Sequence, residues 1–578
     1  MRKNLDVAVV GGGVSGAYSA WRLQQAKGAK SRVALFEYSD RIGGRLYTVT
    51  MPGLPHVKAE VGGMRYIPTQ HIMVNDLVKH LGLATKDFPM GAPKPVFANC
   101  NLFYLRGRHL RLHELADPDK VPYNLAWSER GLGPTNLQVQ VMNNIYPGMG
   151  DLSLCDLMKL KVFGQPLWQY GFWDLMYRVL SNEGYQFMRD AGGYDANVAN
   201  ANAVTQLPAT EYGDTTQFLT LRDGYDQLPI TLADRFNQMP GGLPKGGRVR
   251  MNHRLAAIEI AKGKSDYPYT LIFEPTTTIE RRTRVNAGGA DVRVRAKKVI
   301  LAMPRRSLEL VKSEFFEDPW LKANIPSVLI QSAFKLFLAY ESPWWRALGL
   351  VAGRSVTDLP IRQTYYFGTE AEQGGGLPFM NSLLMASYND ISTVPFWKGL
   401  ESGAPYEGHR PSCLEPGVTD VMPKMEFPAT AQMVQIANRQ VAEVHALPEL
   451  PMPYSAVYHT WNEDPYGGGW HEWKANYRLD EIMCRMRKPV PKHDIHIVGE
   501  AYSYGQGWVE GALDTAESTL QDFFGLKRPP WLKKKYPLLP NPCPGCGSLD
   551  GCIECKGRDC AKALAAATPS CLDKIEIS

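Results

Sequence analysis

Leu5-Asp-Val-Ala-Val-Val10, Gly11-Gly-Gly-Val-Ser-Gly16 and Val33-Ala-Leu-Phe-Glu37 are the three pieces of sequence on which the architecture turns. The first is a short apolar run. The second is a glycine turn that opens a helical pattern over 17–25, and the third is another apolar run. Two such runs with a helix between them read as a β–α–β unit with parallel strands. In that setting the spacing Gly11-x-Gly13-x-x-Gly16 has a physical purpose. Gly11 allows the tight turn, Gly13 lets the backbone approach a pyrophosphate, and Gly16 permits close helix–strand packing. Val14 and Ser15 sit at the start of the helix, whose N-terminus carries positive potential for phosphate. Glu37 ends the second strand, 21 residues after Gly16, and can accept a ribose hydroxyl.

Further along, the spacing predicts a helix over 72–81 and a hairpin in which Leu102-Phe-Tyr-Leu and Leu110-Arg-Leu flank Arg106-Gly107-Arg108. From 151 to 190 the pattern is helical and aromatic, with Trp168, Tyr170, Phe172, Trp173 and Tyr177. The stretch 192–216 is rich in Asn, Ala, Gly and Thr and is expected to be a long, functional loop. Strand signals return at Arg248-Val-Arg-Met-Asn and Lys298-Val-Ile-Leu-Ala302. A second strand–turn–helix reading begins at Ile495-His-Ile-Val-Gly499 and continues over 509–520.

The chain has 578 residues, room for three or four domains of about 150 each. Hydrophobic residues at 44% and charged residues at 21% exclude a mostly disordered chain. A net charge of +6 is too dilute to argue for nucleic acid, and no apolar run reaches the roughly 18 residues of a membrane span. The N-terminus runs into the first strand without a signal-peptide pattern, so the expected location is cytoplasmic. Of ten cysteines, only Cys100, Cys155, Cys413 and Cys484 lie in the first 540 residues, and the main body is expected to carry no disulfide staple. The other six crowd into the last 36 residues, behind a Pro- and Lys-rich linker at 526–542. Cys543-x-x-Cys546 and Cys552-x-x-Cys555 are open to three readings: four ligands of a structural zinc, disulfides, or a tail without a fold.

Glu37-Tyr38-Ser-Asp-Arg41-Ile-Gly43-Gly44-Arg45 resembles the R-x-G-G-R segment of the flavin amine oxidase family. Val498-Gly499-Glu500 and Gly505-Gln-Gly507-Trp508-Val509-Glu-Gly511 resemble the segment with which that family closes over the ribityl chain and the isoalloxazine. The resemblance covers about residues 5 to 525 and implies an α/β fold: a Rossmann-like FAD-binding domain, an interleaved α+β substrate-binding domain and a helical subdomain. The implied boundaries are 1–66, 226–329 and 481–525 for the first, 67–120 and 330–480 for the second, and 121–225 for the third, with 526–578 as linker and Cys-rich tail. The implied cofactor is FAD, held by Gly11, Gly13, Val14, Ser15, Gly16, Glu37, Tyr38, Arg41, Gly44 and Arg45. Gly62, Gly63, Met64, Arg65, the backbone of Leu255, Gly499, Glu500, Gly507, Trp508 and Val509 complete that set. Where some relatives carry a flavin-bonding cysteine, this chain reads Trp461-Asn-Glu-Asp-Pro-Tyr-Gly-Gly-Gly-Trp470, so the FAD is expected to be non-covalent, with O2 as electron acceptor.

Within the family, Glu60-Val-Gly-Gly-Met-Arg65-Tyr-Ile-Pro68 is similar to the G-x-M-R-x-P segment of L-amino acid oxidases, with one residue more between arginine and proline. A guanidinium forks onto a carboxylate with two parallel hydrogen bonds, fixing orientation as well as charge. Lys335 lies in the apolar run Ser-Ala-Phe-Lys335-Leu-Phe-Leu, where a charge needs a reason. The resemblance assigns it a water beside the flavin, Tyr388 a second bond to the carboxylate, Trp470 and Trp508 the aromatic walls, and Gly507 a carbonyl for the amino group. The implied reaction is oxidative deamination of an L-amino acid to the 2-oxo acid, ammonia and hydrogen peroxide, by hydride transfer from Cα to the flavin. A decarboxylating amino acid 2-monooxygenase would use the same site. A polyamine or monoamine oxidase would not need Arg65, and a flavin-binding scaffold would act through the cysteine tail. The expected partner is the small-molecule substrate, in a homodimer or higher homo-oligomer.

Overall fold

A computed structural model describes residues 4–90, 101–206, 216–243, 247–279, 282–376, 380–409, 411 and 429–538. Strand β1 (Asn4–Val10), helix α1 (Val14–Lys27) and strand β2 (Val33–Phe36) form the β–α–β unit, and β2 is buried throughout. A strand covered on both faces has no polar face to show, which is why both read as apolar runs without alternation.

These strands belong to an eight-stranded sheet. Its parallel part runs Val249–Arg250, β2, β1 and Val292–Leu301, with Ile495–Ile497 on the far side of Val292–Leu301. His253–Ile260 and Tyr269–Ile279 extend it as antiparallel strands. In register, Val10 faces both Phe36 and Leu301, and Leu301 faces Ile497, so four parallel strands end at one level. The crevice beyond the carboxyl ends of such strands is where open α/β sheets bind ligands. Helix Val509–Phe524 follows the last of them, and the Arg22 and Tyr18 side chains of α1 both bond Glu517 on it, locking the two helices together.

A second, seven-stranded sheet stands over that crevice in the order Ser455–Thr460, Ala333–Tyr340, Ser382–Asp390, Gln363–Thr369, Arg354–Thr357, Leu102–Leu105 and Arg108–Arg111. Every residue of its second strand, Ala333–Tyr340, is buried, including Lys335. Helices Pro134–Ile145, Leu154–Lys159, Phe172–Val179 and Asn182–Gly192 form a third layer.

Three expectations change here. The segment read as a long loop is ordered from 192 to 206 by the single 3-10 turn Asp195–Val198 and the short helix Ala203–Gln206; 207–215 lie outside the described residues. Asn202 explains why its polar composition misled: it is fully buried, and its amide bonds the carbonyls of Trp168 and Lys474. Of the linker, 526–538 is packed chain: Leu526 and Leu532 are buried, and Trp531 meets Tyr18 edge to face at 6.3 Å. Finally, Cys484, on helix Leu479–Met486, is disulfide-bonded, so the main body does carry a disulfide. Scattered cysteines give no sign in sequence of which of them the fold brings together. Cys543, Cys546, Cys552 and Cys555 lie outside the described residues.

Candidate active site

A cavity of about 930 Å³ opens at the carboxyl ends of the parallel strands. The residues that follow those ends, Gly11, Glu37, Ala302 and Gly499, all line it. Each glycine of the turn has its own reason. Gly11 has φ +108°, and a Cβ there would lie 2.2 Å from the Ala302 carbonyl oxygen. A Cβ at Gly16 would lie 1.9 Å from the Gly11 oxygen, so Gly16 serves packing and is not in the cavity wall. At Gly13 the nearest protein atom to a Cβ is the Gly44 Cα at 3.9 Å, which leaves the space above it to a ligand.

Two helices point their N-termini at this cavity, α1 from Gly13 and Val509–Phe524 from Trp508, and neither has a side-chain cap. Uncapped N–H groups with the helix dipole behind them suit a pyrophosphate. Glu37 braces the turn by accepting from the Gly12 N–H at 2.6 Å and from the Ser39 N–H and hydroxyl. Tyr38 and Leu255 line the cavity nearby. Arg41 does not. Its guanidinium donates to the Gly44 and Leu46 carbonyls and packs on the Tyr47 ring at 3.9 Å, so it shapes the Gly43–Gly44 turn from behind.

In the middle of the cavity Arg45 pairs with Glu500 at 2.9 Å. Glu500 also accepts from the His471 N–H and ring Nδ1 and from the Gly507 N–H. Burial opposes its ionisation, but Arg45 and His471 hold its carboxyl far below the usual range. The His471 ring is fully buried, and its Nε2 has no hydrogen-bond partner among the described residues. Burial also lowers the affinity of this imidazole for a proton. With Nδ1–H directed at Glu500, the neutral imidazole orients an anionic carboxylate in the cavity wall. Open space over Gly13, two helix N-termini without side-chain caps and the Glu37 and Glu500 carboxylates in the wall fit a dinucleotide.

At the far end the second sheet and the helical layer meet the same cavity. Lys335 and Tyr388 are cross-strand partners, and the Lys335 Nζ lies 4.6 Å from the Tyr388 ring centre. Lys335 donates to the Glu60 carbonyl at 3.0 Å and the Gly62 carbonyl at 2.6 Å, and burial pulls its pKa down to about 7. Arg65 is buried in the wall, held between the rings of Phe218, Phe88 and Tyr365 at 4.4, 5.4 and 5.6 Å. Gly62, Gly63 and Met64 lead to it along the cavity. Trp470, Gly507, Trp508 and Val509 face it from the other chain half. A Cβ at Gly507 would sit 3.9 Å from the Trp470 ring, and His71 packs on Trp508 at 4.4 Å.

Several lining residues escape sequence reasoning. Glu472, two residues after Trp470 on strand Trp470–Trp473, therefore shares its face. It is buried, accepts from Gln331, and has its pKa raised by burial to about 8. Tyr194, Asn197 and Gln206 enter from the helical layer. Tyr536 and Pro537 come back from beyond the last helix. The alternation in Trp470-His-Glu-Trp473 was the one local signal for Glu472; the others carry none. Among the described residues no group of His, Cys, Asp or Glu is placed to hold a metal, and no helix is long and apolar enough to cross a membrane.

The fold and the cavity together define a dinucleotide-binding α/β protein with a substrate chamber under a second sheet. Residues 14–519 match the family described as flavin containing amine oxidoreductase, and the chain belongs to that family. It is 31% identical over 536 residues to aplysianin-A of Aplysia kurodai, covering 90% of each chain. It is 29% identical to achacin of Lissachatina fulica over 530 residues, covering 90% of this chain and 93% of that one. An L-amino-acid oxidase of Crotalus adamanteus is 21% identical over 523 residues, 89% of this chain and 86% of its own. Among solved structures, a putrescine oxidase bound to putrescine superposes with a TM-score of 0.60 at 17% identity, covering 90% of this chain and 99% of that one, a likeness of fold.

Proposed function

We propose that the chain is an FAD-dependent L-amino acid oxidase that converts an L-amino acid, water and O2 into the 2-oxo acid, ammonia and hydrogen peroxide. The observation that carries this reading is the buried Arg65 in the wall of the cavity that also holds the glycine cradle. A guanidinium in the wall of a ligand space can fork onto a carboxylate, and a simple amine has none to offer. Arg65 and Tyr388 would hold the substrate carboxylate; the Gly507 carbonyl and the Trp470 and Trp508 faces would hold the amino end. When bound, FAD supplies the two-electron acceptor and the reaction with O2. A peroxide assay across the L-amino acids and several amines tests the proposal, and turnover of amines alone would overturn it. Acid precipitation should release the flavin into the supernatant, since Trp470 stands in the segment where a bonding cysteine would be.

Glu472 narrows the substrate. It is a buried acid in the cavity wall with no cationic partner among the described residues, and a buried charge without a partner is costly. A cationic substrate side chain would supply that partner. Basic L-amino acids are therefore expected to be preferred, and Glu472→Gln to lower their kcat/KM by about 10²-fold while neutral substrates change by less than about threefold. A carboxyl raised to about 8 is neutral below that pH and anionic above it. The kcat/KM for basic substrates should thus rise through pH 8, with no such step for neutral ones. Lys335, lowered to about 7, loses its charge as pH rises through 7 for every substrate, so the difference between the two profiles isolates Glu472. The Cys484 disulfide supports work in an oxidising compartment in place of the cytoplasm.

A further inference from the structure

Asp390 touches neither the cofactor cradle nor the cavity, yet it is fully buried and its bonds are unusual. It is the last residue of strand Ser382–Asp390, two positions after Tyr388. One carboxylate oxygen accepts the Asp195 N–H and the other the Ala196 N–H, both at 2.9 Å. Those are the first two N–H groups of the turn Asp195–Val198, which has no cap from its own N-cap side chain. Asp195 returns the grip by accepting the Ser392 N–H at 3.0 Å and the Ser392 hydroxyl. A single strand end thereby holds a turn of the helical layer from both sides.

The residues around that turn are the ones the substrate would meet. Ala196 and Asn197 line the cavity. Tyr194, immediately before the turn, meets the Tyr388 ring edge to face at 5.1 Å, and its hydroxyl bonds the Tyr365 hydroxyl at 2.7 Å. Tyr365 in turn is one of the rings that hold the Arg65 guanidinium. Both groups assigned to the carboxylate, Arg65 and Tyr388, are therefore backed by one tyrosine whose position depends on Asp390.

We propose that Asp390 is a positioning residue of the amino-acid site, which pins the turn Asp195–Val198 so that Tyr194 keeps Tyr388 and Arg65 at the spacing of a carboxylate. This rests on the amino acid reading of the cavity. Carboxylates capped by two backbone N–H groups keep a loop in one arrangement, and a small displacement of a clamp weakens binding before it alters chemistry.

The test uses the full-length, flavin-loaded protein and benzoate as a carboxylate probe, read by perturbation of the flavin absorbance. Asp390→Ala should weaken benzoate binding and raise KM for the best L-amino acid by about tenfold or more, with kcat changed by less than about threefold. Asp390→Asn keeps one acceptor oxygen but turns an NH2 donor on the second N–H, so it should recover only part of the loss. General damage would instead lower kcat and flavin content together. If the alanine variant does not yield holoenzyme, Asp390→Asn and Ser392→Ala carry the test, each with an expected weakening of about threefold. Unchanged benzoate affinity and KM in the folded variants would overturn the proposal. A wild-type protein that binds no benzoate and turns over no amino acid would instead remove the amino acid reading, and the role of Asp390 with it.

Discussion

Replacing Arg65 with alanine is expected to lower kcat/KM for L-amino acids by about 10²- to 10³-fold while the protein keeps its flavin. The size follows from what is lost. A guanidinium and a carboxylate taken out of water hold each other with two charge-assisted hydrogen bonds, and removing one partner leaves the other buried and unpaired. Arg65 is set for this work before any ligand arrives. Three aromatic rings hold its side chain, and its Nη1 contacts the Met90 sulfur. Lysine at this position should recover only part of the activity, because it brings a point charge without the planar fork. An amine of similar shape but without a carboxylate should be turned over no worse by the alanine variant. An unchanged kcat/KM for amino acids would show that the acid end binds elsewhere.

Gly13→Val is expected to give a folded, colourless protein. Gly13 has φ −69° and ψ 179°, a conformation open to any residue, and a Cβ there would meet no protein atom closer than 3.9 Å. An isopropyl group would nonetheless stand between the incoming pyrophosphate and the N-terminus of α1. FAD affinity should fall by about 10²-fold or more, the cost of displacing a ligand from backbone N–H groups and a helix dipole together. The apo forms of wild type and variant should melt within a few degrees of each other. Gly16→Val is the contrast: its Cβ would lie 1.9 Å from the Gly11 oxygen and 3.1 Å from the Ala302 Cβ. That substitution forces strand and helix apart and should cost on the order of 3 kcal/mol of stability with or without cofactor. Two glycines of one motif thus separate, one by ligand space and one by packing. A Gly13→Val protein that retained its yellow colour would remove the glycine turn as the cofactor cradle.

Much of the candidate site is legible in the sequence. Lys335 stood out because a charge inside Phe-Lys-Leu-Phe has few explanations, and it does sit on a fully buried strand beside Tyr388. Arg41 is equally legible. It belongs to the glycine segment by spacing, yet its side chain turns back to the carbonyls of Gly44 and Leu46. Glu472 does not stand out in sequence, because an isolated acid in a strand looks like a solvent-facing one until its neighbours are known. The sense of the 192–206 segment was lost for a related reason: buried asparagine and alanine have the composition of a loop, and Asn202 is buried only because Trp168 and Lys474 supply carbonyls for its amide.

The β–α–β unit, the glycine turn and the helices read at 72–81 and 509–520 follow from the chain's local order, since apolar period, turn chemistry and helix start lie within a few residues of one another. The chamber does not. Gly13, Arg65, Lys335, Tyr388, Glu472 and Gly507 span almost five hundred positions, and their neighbourhood is set by sheet register and by the packing of the helical layer on the second sheet. Such contacts depend on which distant surfaces exclude water together, and that information is spread over the whole core rather than written at any one residue.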